Sequence, residues 1–304
     1  MSKDVSIGHG GKMDKLPIKM FNFKMFVVSP AIVMIAKRGS GKSWVVRAIL
    51  EYFKDIPVGC IISPTDQDNC FYGKFFPETY IHYAYKSEII EKVLTRQRLI
   101  KEKLAEKIAK GKWIDTRAWI AMDDCLASKG SWIRDAPLQD IFFNGRHRDI
   151  MYILTMQFPL GITPELRGNF DYIFILAEDF ISNLKRIHDH YAGMFPTFES
   201  FRQVFSQLTD DFGAMVIVNR GARSSFFEKI FWYKAPDLSK LQTEFGDKQF
   251  RSFHENNYDP KWNKNRGPMN VDEFIMRKKK NKSRVVVDKV NESEPINVDK
   301  KGRQ

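Results

Sequence analysis

The chain has 304 residues, enough for one large domain or two small ones around a substantial buried core. Hydrophobic residues make up 43% and charged residues 28%, which excludes a wholly disordered, collagen-like or disulfide-dense chain. Lys and Arg (49) outnumber Asp and Glu (37), and the net charge of +12 favours polyanionic partners, nucleic acid above all, with charge for solubility as the plain alternative.

Residues 1–20 are polar and rich in Gly and Lys, and read as a flexible N-terminal arm. They contain no apolar h-region, which argues against a secretory signal. The longest apolar stretch, Met25 to Ala36, is broken by Ser29 and Pro30, which argues against a membrane-spanning helix. From 21 to 260 short apolar runs alternate with helical patterns, the signature of one α/β domain. The expected strands are Ala31–Ala36, Val58–Ser63, Arg117–Asp123, Met151–Met156, Asp171–Leu176 and Ala214–Val218. Most are continuously apolar, as parallel strands covered on both faces are. Helices are expected over Ser43–Phe53, Ser87–Lys110, Asn183–Gly193 and Phe198–Leu208. Cys60, Cys70 and Cys125 are too few and too scattered for a disulfide framework or a zinc site, and suit a reducing compartment.

The first strand runs into Ala36-Lys37-Arg38-Gly39-Ser40-Gly41-Lys42-Ser43, and a helix follows. That is the context of a phosphate-binding P-loop. Gly39 and Gly41 let the backbone curl so that N–H groups point at phosphate oxygens. Lys42 would reach the β/γ-phosphates of ATP, and the Ser43 hydroxyl would be a Mg²⁺ ligand. The pattern departs from the usual one at its first position, where Ala36 replaces Gly.

The strand Trp119-Ile120-Ala121-Met122 ends in Asp123-Asp124. Asp123 would bind Mg²⁺, and Asp124 would polarise the attacking water as a general base. The sequence separation of 81 from Lys42 to Asp123 puts the acidic strand next to the P-loop strand or one removed from it. An acid directly after the metal-binding Asp points to water as nucleophile, hence to an ATPase. The next strand ends in Gln157, an amide able to bond both the γ-phosphate and that water. Before it lies Asn144-Gly145-Arg146-His147-Arg148. An Arg here could be an arginine finger for a neighbouring subunit, with Arg146 preferred over Arg117 and Arg148, or it could grip DNA phosphate or form a surface ion pair. Its chain position suggests that Arg146 and Gln157 both lie near the γ-phosphate edge of the sheet.

The segment 261–304 changes character, with 13 Lys/Arg against 6 Asp/Glu and the basic run Arg277 to Arg284. It reads as a basic, disordered tail. The run has three readings: a solvated segment without a specific role, a nucleic-acid contact, or a nuclear import signal.

The segments 29–50, 119–125, 144–159, 164–176 and 185–205 together resemble the virion DNA-packaging ATPases of nucleocytoplasmic large DNA viruses. These are the poxvirus-type branch of the FtsK–HerA superfamily of P-loop NTPases. The spacing from Gly145-Arg146-His147 to Thr155-Met156-Gln157 and the segment Pro164 to Asn169 are its more specific parts. The resemblance implies a three-layer fold with a mostly parallel RecA-like sheet and an extra strand between the P-loop strand and the acidic strand. It implies a ring-like homo-oligomer that hydrolyses ATP to move double-stranded DNA into a preformed capsid. Capsid or other virion proteins would then be partners, and the virion and the host cytoplasm its places. Two other readings remain at this point: a cellular HerA-like translocase, and a nucleic-acid-binding virion protein with a non-hydrolysing P-loop.

Overall fold

In the computed structural model the described residues are 16–125, 132–221 and 225–261. The chain divides into a body of residues 1–256 and a C-terminal unit of residues 257–304, of which 257–261 are described. The basic run Arg277 to Arg284 therefore lies outside the described residues.

The body is built on one eight-stranded sheet. In chain order the elements are β1 (Ala31–Ile35), α1 (Lys42–Tyr52), β2 (Val58–Ile62), α2 (Asp66–Asn69), β3 (Ile81–His82), α3 (Ser87–Ile108), β4 (Ala118–Met122) and α4 (Ala136–Asn144). They continue with β5 (Ile150–Met156), α5 (Pro164–Arg167), β6 (Tyr172–Leu176), α6 (Ile181–Tyr191), α7 (Phe198–Leu208), β7 (Gly213–Val218), β8 (Ile230–Lys234) and α8 (Lys248–Asn257). The sheet order is β3-β2-β4-β5-β1-β6-β7-β8. Strands β1 to β6 run parallel, and β7 and β8 are antiparallel to their neighbours. β5 is the extra strand between β1 and β4, where one was expected.

Alternation along each strand divides the core in two. Val33 and Ile35 of β1 join the apolar layer under α3, α4, α6 and α7, where Ile90, Leu138, Ile187 and Phe201 are buried. Ile32 and Met34 join the layer under α1 and α8, with Val45, Ile49 and Phe250. Helices on both faces make the fold a three-layer α/β domain. α7 starts with a capping box, the Thr197 hydroxyl accepting from the Ser200 N–H while Ser200 Oγ accepts from the Thr197 N–H. Gly59 of β2 stands directly beside Trp119 of β4. A Cβ there would lie 2.0 Å from the indole, so no other residue fits without moving the Trp.

All six expected strands are present, within a residue of their expected limits. One carries a correction: β7, grouped with the apolar runs read as parallel, is antiparallel to β6. Burial on both faces makes a strand continuously apolar whichever way it runs. Strands β3 and β8 were not expected. β3 has two residues, and β8 leaves Trp232 partly exposed and Lys234 exposed. The last residues of the expected arm run along β8: the Trp232 N–H donates to Lys19 O, and the Phe21 N–H donates to Trp232 O.

Candidate active site

Parallel strands bring their C-terminal ends to one edge of the sheet, and ligands of open α/β folds gather there. At that edge Ala36 extends β1 by one step, its N–H donating to Met156 O of β5 at 3.0 Å. Ala36 is buried and is not among the residues with positive φ, so the missing first Gly has a backbone that alanine adopts freely. Gly39 (φ +78°) and Gly41 (φ +93°) are left-handed, as the curl of a phosphate loop requires. The Ser40 hydroxyl closes the turn onto Lys37 O at 2.8 Å. Lys42 opens α1 and is buried, and no side chain caps that helix N-terminus. That helix start lines the cleft, an arrangement suited to anions.

Two strands away, β4 delivers the acidic pair. The Asp123 N–H donates to Ile62 O at 2.9 Å, which prolongs the β2 pairing and fixes the Asp123 backbone. Asp123 is 3% exposed. Thr155 stands opposite it on β5, and its hydroxyl donates to Asp123 Oδ1 and accepts the Asp124 N–H at 3.2 Å. Asp124 turns left-handed (φ +54°), a conformation Asp tolerates better than most residues. That turn brings its carboxylate to Lys42. Lys42 Nζ lies 3.3 Å from Asp123 Oδ1 and forms an ion pair with Asp124. Behind the pair sits Tyr72, buried; burial first, and then the charge of Asp123, hold its phenol protonated well above the usual range. The loop carrying it is pinned by the buried Asp66, whose carboxylate accepts the N–H groups of Tyr72 at 2.8 Å and Gly73 at 3.3 Å. Burial raises the Asp66 pKa, and these backbone bonds partly offset it.

Gln157 follows β5 at the same edge. P-loop, acidic pair and Gln157 line one cleft of about 960 Å³, large enough for a nucleotide. The cleft then runs past β6 to the β7–β8 side, where Phe212 and the segment 234–239 form its other end. Phe212 is 61% exposed with φ +60°, rare for a bulky residue, and its ring would lie 3.4 Å from a Cβ at Gly41. Trp44 and Phe71 pack edge to face at 5.9 Å and line the wall.

The donor set suits Mg²⁺. The Ser43 hydroxyl and the Asp123 carboxylate are hard oxygen ligands, and Mg²⁺ commonly takes one or two carboxylates plus substrate phosphates. Lys42 Nζ and Asp124 Oδ1 are buried and make no hydrogen bond, their ion pair apart. A phosphate chain with its cation would satisfy such groups.

No family model matches the chain. Among curated proteins, the uncharacterized protein L437 of Acanthamoeba polyphaga mimivirus is 42% identical over 253 residues, covering 83% of this chain and 88% of that protein. The uncharacterized protein 075L of Invertebrate iridescent virus 6 is 35% identical over 240 residues, covering 77% and 88%. The chain belongs to this family of large-DNA-virus proteins. The expected kinship with such viruses is borne out. Among solved structures, the genome packaging NTPase B204 of Sulfolobus turreted icosahedral virus 2 is 15% identical, with a TM-score of 0.47 over 69% of this chain and 98% of that one. The pCW3 conjugation coupling protein TcpA is 15% identical, with a TM-score of 0.46 over 70% and 62%.

The structure departs from the sequence expectation at the arginines. Arg146 lies in the single turn Gly145–Arg148, before β5, whereas Gln157 lies after it. Seven strand residues span about 20 Å, so the two side chains sit at opposite edges of the sheet and the expected shared γ-phosphate edge is corrected. Arg146 donates to Asp171 Oδ1 at 2.6 Å. Arg117 is committed to Asp115 and Asp55, and Arg148 to Asp140. The sequence reading also passed over Thr155, Tyr72 and Phe212. Thr155 carried a signal: it is the one aliphatic hydroxyl within the apolar run of β5.

Proposed function

We propose that this viral protein is an ATP-hydrolysing motor that moves double-stranded viral DNA into a preformed capsid. One observation carries the ATPase part: Lys42, Asp123, Asp124 and Gln157 converge on one cleft at the C-terminal edge of a parallel sheet. Residues Ala36 to Ser43 wrap the phosphates, and Lys42 neutralises charge on the β/γ oxygens. Ser43 and Asp123 would hold Mg²⁺, which would supply charge stabilisation to the transferred phosphoryl group. Thr155 fixes the Asp123 carboxylate. Asp124 accepts the proton of the attacking water as its oxygen bonds to the γ-phosphorus and the bond to the β–γ bridging oxygen breaks. Gln157 positions that water, and the aromatic wall near Phe212 takes the base.

The motor part rests on the resemblance of the motifs, on relatives that are proteins of large DNA viruses, and on the net charge of +12. A motor that tracks the phosphate backbone needs charge and no base readout. Arg146 acts in trans, completing the cleft of the next subunit in a ring. Its distance from its own P-loop agrees with that. Capsid or other virion proteins are the remaining partners, at the assembly site in the host cytoplasm and in the virion. No helix among the described residues is long and apolar enough to cross a membrane.

The test is ATP hydrolysis by the purified protein with and without duplex DNA, together with its assembly state on that DNA. Hydrolysis accelerated by DNA in a ring-sized assembly is the expected result. Absent hydrolysis under both conditions would leave a DNA-binding protein with an inert P-loop.

A further inference from the structure

We infer that Asp171 is a positioning residue that presents Arg146 to the neighbouring subunit's nucleotide. The inference rests on the trans role of Arg146 proposed above.

Asp171 lies just before β6 at the N-terminal edge of the sheet and is 3% exposed. Both carboxylate oxygens are used. Oδ2 accepts the Ala31 N–H at 2.9 Å, at the start of the strand whose far end is the P-loop. Oδ1 accepts from Arg146 at 2.6 Å, and Arg220 Nε lies 3.9 Å from the same atom. The Asp171 backbone is fixed as well: its N–H donates to Ala31 O at 2.8 Å, and its carbonyl accepts the Asn219 N–H at 2.9 Å. The anion is therefore held rigidly between two strands and offered to an arginine whose own side chain is 53% exposed.

Arg146 differs from Arg117 in how it is held. Arg117 spends Nε and a terminal nitrogen on Asp115 and Asp55. Arg146 is tied through one terminal nitrogen, and its other donors make no hydrogen bond among the described residues. A planar guanidinium anchored at one corner keeps its remaining N–H groups aimed in a fixed direction. A finger has to be aimed in this way before its partner arrives. Without the Asp171 charge, Arg146 loses the carboxylate that anchors it.

The experiment is a double-mutant cycle on the full chain assembled on duplex DNA. Asp171→Asn keeps an oxygen for the Ala31 N–H while removing the charge that holds Arg146. It should lower kcat by about 10- to 100-fold, the scale for removing a partner that orients an active group, with KM for ATP changed less than about 2-fold. Arg146→Ala should lower kcat by about 10³-fold. Added to Arg146→Ala, Asp171→Asn should cost less than about 2-fold more, because both act through one group. Equal losses from Asp171→Asn in both backgrounds would overturn the inference and leave Asp171 a fold-stabilising residue. Full activity of Arg146→Ala would instead overturn the trans role itself, and this inference with it. If Asp171→Asn does not fold, Arg146→Lys serves. A single ammonium cannot keep the bond to Asp171 and present a planar fork beyond it, so a loss of about 10-fold or more is expected. A wild-type rate for Arg146→Lys would overturn the inference.

Discussion

The two edges of the sheet carry inverse arrangements of charge. At the C-terminal edge one buried cation, Lys42, meets two carboxylates, Asp123 and Asp124. At the N-terminal edge one buried carboxylate, Asp171, meets two guanidinium groups, Arg146 and Arg220. The first has an excess of negative charge and two hard oxygen groups, which suits a divalent cation beside a phosphate chain. The second has an excess of positive charge and presents one exposed arginine. A head-to-tail assembly brings such edges together, because a heterologous interface joins two different surfaces of the same chain. The difference teaches that the two edges are complementary in charge, as the proposed composite site requires.

The largest expected effect is at the first edge. Lys42→Ala removes the cation proposed to face the β/γ-phosphates and should abolish ATP hydrolysis. It also leaves Asp123 and Asp124 facing each other without a counterion. Steady-state turnover near wild type would break the assignment of this edge as the nucleotide site.

At the second edge, Arg146→Ala should bind ATP normally and hydrolyse it about 10³-fold more slowly. Mixing sharpens the comparison. Lys42→Ala and Arg146→Ala subunits lack opposite halves of a composite site, so some mixed interfaces regain both. Activity should partly recover on mixing. Co-assembly without recovery would separate the two edges functionally and move the search to Arg148 or Arg117.

Within the acidic pair the roles should divide. Asp124→Asn should leave Mg·ATP binding near wild type and slow hydrolysis by about 10²-fold or more, the scale of a general base. Asp123→Asn should weaken Mg²⁺-dependent binding instead. Thr155→Val should fall between wild type and Asp123→Asn, since it frees the Asp123 carboxylate without removing it; a loss of about 10-fold is expected. Titrating Mg²⁺ at fixed ATP separates the three variants. Identical behaviour of Asp123→Asn and Asp124→Asn would dissolve the division of labour.

Legibility in the sequence followed locality. The P-loop was readable because strand, glycines, Lys42 and helix are contiguous, and the acidic pair because it ends an apolar run. The spacing from Lys42 to Asp123 left the acidic strand either next to the P-loop strand or one removed from it, and the resemblance selected the intervening strand, β5. Arg146 was misplaced for a physical reason. Only ten residues separate it from Gln157, but seven of the intervening residues are an extended strand, which carries neighbours in sequence to opposite edges. Phe212 and Asp171 were hidden because their meaning depends on strand order. Phe212 reaches the cleft only because β7 is antiparallel and begins at the P-loop edge. Asp171 meets Ala31 because β6 pairs with β1 across 140 residues. Tyr72 sits in a loop whose burial behind Asp123 no local pattern announces.

The smallest expected effect concerns charge beyond both edges. The segment 261–304 carries a net charge of +7, and Arg277, Lys278, Lys279, Lys280, Lys282 and Arg284 are clustered within it. Replacing these six by Gln in the full chain should leave basal ATP hydrolysis unchanged, because the cleft and its ion pairs lie within residues 37–239. DNA affinity should fall at low salt, and its salt dependence should flatten. Each DNA phosphate that the protein no longer neutralises lowers the slope of log K against log salt by about 0.9 for duplex DNA. A slope reduced by two or more such steps, roughly 2 in total, would make the cluster part of the DNA-tracking surface. An unchanged slope would place DNA binding outside this cluster and leave the run as solubilising charge or an import signal.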